Sequence, residues 1–381
     1  MRTARNLVNS LFSRTSELLS TLSPTEVVDA FGMVRSIAAV AGCPDAKRMD
    51  PRALTDIIEL ITDALRRTPY GRPLEFEYPL IISVSASNYC PFACSNCYSN
   101  AGVTSARSRT HDRLQIFAKV AASKTPFVIV SGGEPLVADG IEDCLKLLLD
   151  SGKLVYLSTN ALVEKHLGLA RQNNGRLSFI LPVWGNRKRH NAKRGANSFE
   201  RVEQNLAVLN AAGLKPHVLV VLSDTDFSVF EDVERLTRSY MIEVVTISRR
   251  IDVGRVETAP IKFSQDHWRQ LQIWQRKLQR RVGLVACDLP EMHGQKSSGP
   301  MQRMLGLPRH EGCSAGNWMM HIDDAGQGYP CFSFEGQRDQ SVASELSIVE
   351  QWKKIRTLRS HFPVGALCVA EHSMRPKGVT T

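Results

Sequence analysis

Short apolar runs alternate with amphipathic segments along most of this chain, from about residue 78 to residue 281. Six of the runs have the length and the β-branched content of buried strands, and they lie near residues 80–87, 126–131, 154–159, 177–183, 217–222 and 243–248. Segments with apolar residues at helical spacing lie near residues 111–123, 139–151, 162–173, 198–211, 228–239 and 264–281. This alternation predicts an α/β fold with a parallel sheet.

The first 75 residues have a helical pattern instead. Ser23-Pro24-Thr25-Glu26 is a capping box that opens one helix, and Asp50-Pro51 opens another. A segment containing Pro and Gly, residues 68–73, then interrupts the periodicity. The pattern divides the chain into a helical extension (1–75), an α/β core (76–285) and a loop-rich carboxyl-terminal region (286–381). We expect the extension to be a structural cap on the core or a docking surface for a substrate or partner, and a membrane-surface helix with modest basic character is a third alternative.

Composition narrows the class of protein only slightly. The 381 residues are 43% apolar and 23% charged, which is ordinary for a globular protein, and no apolar run approaches the roughly 18 residues of a transmembrane helix. Polar residues interrupt the amino-terminal apolar segment, so it lacks the pattern of a signal peptide and we expect a cytoplasmic protein. The net charge of +10 is compatible with nucleic acid, anionic lipid or an acidic partner. A basic cluster consists of Arg187, Lys188, Arg189, Lys193 and Arg194.

Three cysteines follow the first predicted strand at C-x3-C-x2-C spacing. Nine cysteines without an export signal favour thiol or metal chemistry over a disulfide framework. Cys90, Cys94 and Cys97 lie in the loop at the carboxyl end of the strand, where α/β folds hold their active sites. Three such thiolates suit an iron–sulfur cluster or zinc and leave a fourth coordination position open. The alternatives are a zinc site or ordinary buried thiols, and buried thiols are the default for Cys43, Cys144 and Cys287.

A glycine-rich motif follows the second predicted strand. In Ser131-Gly132-Gly133-Glu134-Pro135 the glycines allow a ligand to approach the backbone closely, and the carboxylate suits an ammonium group. Together, the two motifs resemble the radical S-adenosylmethionine (radical SAM) superfamily. The resemblance implies a partial (β/α)6 barrel. It also implies a 4Fe-4S cluster on Cys90, Cys94 and Cys97, whose open iron binds the methionine group of S-adenosylmethionine (SAM), and an external reductant such as flavodoxin or ferredoxin.

The resemblance also assigns residues around the cofactor. Gly132, Gly133 and Glu134 would receive the methionine amino group, Asn96 and Tyr98 would meet the adenine, Ser158 and Asn160 would face the ribose and methionine, and Arg194 would hold the methionine carboxylate. Arg249, Arg250, Gly254 and Arg255 resemble the edge of the adenosine site. Asn96 stands where the family usually has an aromatic residue. Trp184 either lines the substrate cavity or packs in the core.

The carboxyl-terminal region resembles the auxiliary-cluster domains called SPASM and twitch. Cys313 and Cys331 flank a predicted hairpin whose turn contains Asp323 and Gly326, a helix covers 348–359, and Cys368 follows. The shorter, one-cluster twitch form implies a second 4Fe-4S cluster on Cys313, Cys331 and Cys368. Its fourth position would be open or held by Glu371 or His372, and Cys287 is an alternative. A zinc-bound or plain hairpin is the competing interpretation.

We therefore expect a radical SAM enzyme with an auxiliary cluster. It would cleave SAM reductively and abstract a hydrogen atom from a peptide or a small polar metabolite, in peptide or cofactor maturation or natural-product biosynthesis. Two alternatives stay open. One is a radical SAM enzyme that modifies RNA, which would use the positive charge. The other is an iron–sulfur or zinc protein that transfers electrons or senses without catalysis.

Overall fold

The computed structural model describes residues 51–67, 75–92, 94–104, 110–251, 253–255, 261–288 and 314–359. Within these ranges, one nine-stranded sheet has the order β7-β6-β5-β4-β3-β2-β1-β8-β9. The strands are β1 (Ile81–Ser85), β2 (Phe127–Ser131), β3 (Leu154–Ser158), β4 (Leu177–Trp184), β5 (His217–Leu222), β6 (Val244–Arg249), β7 (Leu284–Asp288), β8 (Met319–Ile322) and β9 (Gly328–Tyr329). All neighbouring pairs are parallel except β8 and β9, which form an antiparallel hairpin.

Helices connect the parallel strands. They are α1 (Pro51–Arg67), α2 (Thr110–Ala122), α3 (Ile141–Asp150), α4 (Leu167–Gln172), α5 (Arg187–Arg194), α6 (Ser198–Ala211), α7 (Val229–Ser239), α8 (Gln265–Gln279) and α9 (Ile348–Arg359). The predicted α/β class is confirmed: the six predicted strands lie within a few residues of β1 to β6 and form an open parallel sheet. None of the helices in the described ranges is long and apolar enough to cross a membrane.

Two elements of the core differ from the sequence prediction. Helix α5 has the sequence RKRHNAKR and therefore lacks the apolar periodicity by which helices are recognised. Its start is set by Asn186, whose side chain accepts a hydrogen bond from the Arg189 amide. Strand β7 extends the sheet beyond β6, after the helix that was expected to close this region. The predicted hairpin in the carboxyl-terminal region is present, and β8 pairs in parallel with β1, with Ser83 opposite His321.

The two faces of the sheet differ in chemistry because side chains alternate along each strand. One face packs against the helices through fully buried residues such as Val84, Val130 and Val220, which meet Phe117 and Phe230. The opposite face carries polar side chains among apolar ones such as Ile129, Leu219 and Val221, and we call it the polar face. It includes Ser83, Ser85, Ser131, Tyr156, His217, Thr246, Ser248 and His321. A parallel sheet covered on both faces would be apolar throughout, so this polar face is suited to a ligand.

Helix α1 is an integrated part of the described structure. Ile57, Ile61 and Ala64 are fully buried, and Asp56 interacts electrostatically with Lys153 at the start of β3. This burial supports the structural-cap interpretation for α1. The rest of the predicted extension, residues 1–50 and 68–74, lies outside the described residues, and its docking role stays a prediction.

The buried histidine at the start of β5 makes stability depend on pH. Burial lowers the pKa of His217 from 6.5 to about 4, and its Nε2 atom lies 2.7 Å from Thr246 Oγ1. Because the unfolded chain binds the proton more readily, stability conferred by the neutral imidazole is present above pH 6.5 and is lost as the pH falls towards 4. We expect the free energy of unfolding to decrease by on the order of 1–3 kcal/mol over this range.

Chemical denaturation between pH 7 and pH 4.5 measures this dependence. His217→Gln should flatten the pH profile, whereas His111→Gln, on the exposed face of α2, should leave it unchanged. Equal slopes for His217→Gln and the unmodified protein would contradict the prediction.

Candidate functional site

The loop after β1 brings the three predicted cysteines together at the carboxyl edge of the sheet. Cys90 is buried, Cys94 and Cys97 are partly exposed, and all three are free thiols. The loop closes on itself because the Cys90 amide donates to the Gly102 carbonyl at 3.3 Å and the Asn100 amide donates to that of Cys97 at 3.2 Å. Burial raises the pKa of Cys90 to about 12, and Glu134, Cys94 and Cys97 add smaller electrostatic contributions in the same direction.

The donor chemistry of this loop fits an iron–sulfur cluster. Three thiols on one short loop are the soft ligands that such a cluster requires, and their electrostatic interaction shows that they are neighbours. No three His, Cys, Asp or Glu side chains in the described ranges are already arranged as a metal site. The assignment of the three cysteines as cluster ligands therefore stays a prediction.

The glycine-rich motif packs directly against the cysteine loop. The Gly133 amide donates to the Ser87 carbonyl at 2.7 Å, and the Glu134 amide donates to the Tyr89 carbonyl at 3.0 Å. A Cβ atom on Gly133 would lie 2.2 Å from the Tyr89 oxygen, so only glycine permits this approach. The two sequence motifs thus form one structural unit.

A segment after β6 holds the other side of the same loop. The Arg255 amide donates to the Cys97 carbonyl at 2.9 Å, and its Nη2 donates to the Ala101 carbonyl at 2.6 Å. Gly254 has φ +70° and approaches so closely that a Cβ atom would lie 2.3 Å from the Cys97 oxygen. These residues were predicted to border adenosine. The structure shows them fixing the cysteine loop, and a contact with adenosine stays a prediction.

Glu134 joins the ends of β2 and β3. Its fully buried carboxylate accepts hydrogen bonds from Thr159 Oγ1 (2.5 Å), the Asn160 amide (2.8 Å) and the Leu136 amide (3.1 Å). Burial raises its pKa, and these hydrogen bonds act in the opposite direction because they favour the ionised form. Both oxygens therefore already organise the predicted Ser158–Asn160 turn, which the sequence pattern did not reveal. The predicted contact of Glu134 with the methionine ammonium is a further role that no observation here tests.

A pocket beside the cysteine loop brings several predicted residues together. Its lining contains Phe92, Cys94, Thr159, Asn160, His190, Arg194, Ser198, Arg201, Val202 and Asn205. Cys94, Asn160 and Arg194 were predicted from sequence, whereas His190 and Arg201 were not assigned a role. The sequence clue to Arg201 is its position immediately after Ser198-Phe199-Glu200, the start of α6. The pocket thus joins the cysteine loop, the end of β3 and helices α5 and α6.

The guanidinium of Arg194 is only partly engaged by the protein. Its Nη1 lies 3.4 Å from the Pro182 carbonyl and its plane lies over the Trp184 ring, while its buried Nε has no hydrogen-bond partner in the described structure. His190 lies in the same pocket lining, and its Nδ1 atom accepts a hydrogen bond from the Trp184 amide at 3.0 Å. Burial, aided by Arg194 and Arg201, lowers the pKa of His190 to about 2, so the imidazole is neutral. The positive charge on this side of the pocket therefore comes from Arg194 and Arg201.

Tyr98 links the cysteine loop to the carboxyl-terminal hairpin. Its ring packs edge to face against the ring of Phe332, with 5.0 Å between the ring centroids. Phe332 is the residue that follows Cys331. Burial raises the Tyr98 pKa, and Glu335 adds to this effect. Asn96 is buried in the same loop.

Of the residues predicted to hold a second cluster, Cys331 is described and is partly exposed. Cys313, Cys368, Glu371 and His372 lie outside the described residues.

Two of the five cationic residues in the basic cluster on α5 are neutralised by ion pairs. Arg187 pairs with Glu200 and Glu203, and Arg189 pairs with Asp224 and Asp226. These arginines therefore do not present free charge to a polyanion, which weakens the main basis for the RNA hypothesis.

Comparison with known proteins identifies the family of the core segment. Residues 84–236 match the model of the Radical SAM superfamily. This range contains the cysteine loop, the glycine-rich motif and the Arg194 pocket, and it is similar to the domain that the superfamily shares. A search of the curated proteins gives no match to this sequence.

Solved structures share the fold at low sequence identity. Streptococcus suis SuiB bound to S-adenosylmethionine has a TM-score of 0.64 and 16% identity, over 81% of this chain and 72% of SuiB. SuiB bound to its precursor peptide SuiA has a TM-score of 0.60 and 17% identity, over 81% and 72%. The anSMEcpe protein with bound AdoMet has a TM-score of 0.54 and 14% identity, over 74% of this chain and 82% of that one. The partial-barrel fold is therefore confirmed.

Proposed function

We propose that this protein is an enzyme that reductively cleaves S-adenosylmethionine and uses the resulting 5'-deoxyadenosyl radical to abstract a hydrogen atom from a peptide or a small polar metabolite. The observation that carries the proposal is the cysteine loop. The loop and the Gly132-Gly133-Glu134 motif that packs against it lie inside the matched segment, and Arg255, beyond that segment, holds the other side of the loop. A 4Fe-4S cluster held by Cys90, Cys94 and Cys97 would supply the electron that breaks the carbon–sulfur bond.

The chain's own residues would bind and orient the cofactor. Arg194 offers a guanidinium beside Cys94 and Asn160, which suits the methionine carboxylate. The methionine amino end would lie at the Gly132-Gly133-Glu134 motif, and the Asn160 turn is held in place by Glu134. The Asn96 and Tyr98 positions would border the adenine. A small one-electron reductant such as flavodoxin or ferredoxin completes the reaction.

The peptide class of substrate is supported by the structural neighbours. SuiB has been crystallised with a precursor peptide and anSMEcpe with peptides and AdoMet. The polar side chains on the polar face of the sheet would accommodate the polar groups of such a substrate. A non-catalytic electron carrier or sensor would have no use for the Arg194 pocket.

Anaerobic reconstitution with iron and sulfide, followed by reduction and addition of SAM, tests the proposal. We expect 5'-deoxyadenosine and methionine in equal amounts when the substrate radical does not regenerate the cofactor. A reconstituted, reduced protein that binds iron without forming 5'-deoxyadenosine would support the electron carrier or sensor instead.

We expect Arg194→Lys to weaken SAM binding. An ammonium cannot reproduce the planar two-point bond to a carboxylate, so the loss should be about 1–3 kcal/mol of binding free energy. Isothermal titration of the reconstituted protein with SAM gives the dissociation constant. Arg189→Lys, on the same helix but paired with Asp224 and Asp226, is the matched control and should bind normally. An unchanged dissociation constant for Arg194→Lys would remove this residue from the cofactor site.

We also propose a second 4Fe-4S cluster on Cys313, Cys331 and Cys368. The support is the packing of the Cys331 segment against the cysteine loop through Phe332 and Tyr98. Reconstituted protein should carry about eight irons, and a variant with Ala at positions 90, 94 and 97 should keep about four. Iron and zinc analysis of that variant measures this directly. Loss of all iron, or one bound zinc, would exclude the second cluster.

A further inference from the structure

A buried polar cluster lies at the hairpin next to β1, on the polar face of the sheet. It consists of His321, Asp323, Asp324 and Glu335, which we call the carboxylate cluster. The side chain of His321 is 0% exposed and that of Glu335 is 8% exposed, and His321 Nε2 lies 3.2 Å from Glu335 Oε2. Ser85 Oγ lies 3.4 Å from both of these atoms. No motif of the sequence indicated this cluster.

Two atoms of the cluster lack a partner. His321 Nδ1 and Glu335 Oε1 are buried and make no hydrogen bond within the described structure. Leaving a buried polar atom unpaired costs about 1–3 kcal/mol, so native proteins seldom retain such atoms without a ligand or water to satisfy them. When Nε2 donates its proton to Glu335, Nδ1 is an acceptor. The pair then offers two unused acceptors, one on each side chain.

The cluster also places three carboxyl groups close together. Burial raises the pKa values of Asp323 and Asp324, and neighbouring acids, including Glu335, raise them further, while hydrogen bonds from backbone amides and from the Tyr329 hydroxyl act in the opposite direction. In the described ranges no lysine or arginine forms an ion pair with any of the three carboxyl groups. A bound cation favours the ionised form of carboxyl groups placed in this way.

The cluster shares its location with the proposed active site. The Asn88 amide, in the segment that leads into the cysteine loop, donates to Asp324 Oδ2 at 3.1 Å. A ligand held by the cluster would therefore lie beside the cysteine loop.

We propose that the carboxylate cluster recognises a cationic group of the substrate, an ammonium or a guanidinium carried by a peptide side chain or a polar metabolite. The several N–H donors of such a group match the two free acceptors. The identification of the ligand as a substrate rests on the proposed function. The binding of a cation by the carboxylate cluster is independent of that function.

A ligand titration tests the site directly. The full-length protein, labelled with 13C at the histidine Cε1 atoms, is titrated with Nα-acetyl-lysine amide, and the uncharged Nα-acetyl-norleucine amide serves as the control ligand. The His321 resonance is assigned with His321→Gln. We expect a saturable shift of this resonance with the lysine ligand and none with the norleucine ligand. The affinity should be weaker by about tenfold or more in Glu335→Gln, which removes a buried charge without changing its shape.

Asp339→Asn is the matched control, because Asp339 is exposed and accepts a hydrogen bond only from the adjacent Gln340. It should bind the lysine ligand normally.

Asp323→Asn is a second test variant, to be used if Glu335→Gln unfolds. Thermal unfolding of each variant is measured first. Absence of a shift up to the solubility of the lysine ligand, an equal response to the norleucine ligand, or unchanged affinity in the folded variants would overturn the proposal. Titration of the unmodified protein with SAM is run separately, so that failure of the cation site and failure of the proposed function are distinguishable.

Discussion

Cys94→Ala should abolish formation of 5'-deoxyadenosine. A cluster site with three ligands has no spare thiolate, so removing one dismantles the site from which the electron would come. Cys94 is partly exposed and lines the pocket with Asn160 and Arg194, so the substitution removes little packing and should change the free energy of unfolding by less than about 1 kcal/mol. Chromatographic assay of 5'-deoxyadenosine, together with thermal unfolding, measures both effects.

Cys144→Ala is the control for this prediction. Cys144 is a fully buried thiol on α3, packed in the apolar core between helices and sheet. Its loss should lower stability by about 1 kcal/mol while cleavage of SAM continues. Continued cleavage by Cys94→Ala as well would mean that the cysteine loop is not the cluster site.

Gly133→Ala should also reduce SAM cleavage strongly, without altering any side chain that was predicted to bind the cofactor. The added Cβ atom would lie 2.2 Å from the Tyr89 oxygen and 2.7 Å from its carbonyl carbon, so the cysteine loop must move away. A displacement of about 1 Å at a reacting site can lower a rate by about a hundredfold. The rate of 5'-deoxyadenosine formation and the iron content of the reconstituted variant measure the effect.

Gly168→Ala provides the comparison. Gly168 is exposed in α4, and a Cβ atom there would meet nothing within 4 Å. This substitution should raise the free energy of unfolding by about 0.5–1 kcal/mol because alanine is the better helix former, and it should leave cleavage unchanged. If Gly133→Ala behaves in the same way, the backbone contact between the two motifs is dispensable.

The sequence predicted those parts of the fold that depend on local patterns. β1 to β6 are recognisable because each is a short run rich in apolar and β-branched residues, and the cysteine loop and the glycine-rich motif are placed by the ends of these runs. Helix α5 was missed because its eight residues contain no apolar stripe. The pairing of β8 with β1 was also missed, since hydrophobic periodicity does not specify which strands are neighbours.

The candidate site was predictable in its parts but not in its connections. Cys94, Asn160 and Arg194 were identified individually, and the pocket that unites them depends on the packing of α5 and α6. The hydrogen bonds of Glu134 to the end of β3 and of Arg255 to the loop backbone are tertiary contacts without a sequence signature. The carboxylate cluster combines His321 on β8 with Glu335 beyond β9, and no motif spacing marks it.

The pairing of β8 with β1 has a consequence for how the newly made chain matures. β1 is an interior strand of the finished sheet, but one of its two edges is completed only when residues 319–322 have been synthesised. Pairing across so long a stretch of chain is slow to form, and until it forms the unpaired edge of β1 is open to association with other chains. The cysteine loop begins directly after this strand. Its final support therefore arrives late in folding, and we expect the proposed cluster to be inserted more readily into the chain that includes residues 319–322 than into the amino-terminal portion alone.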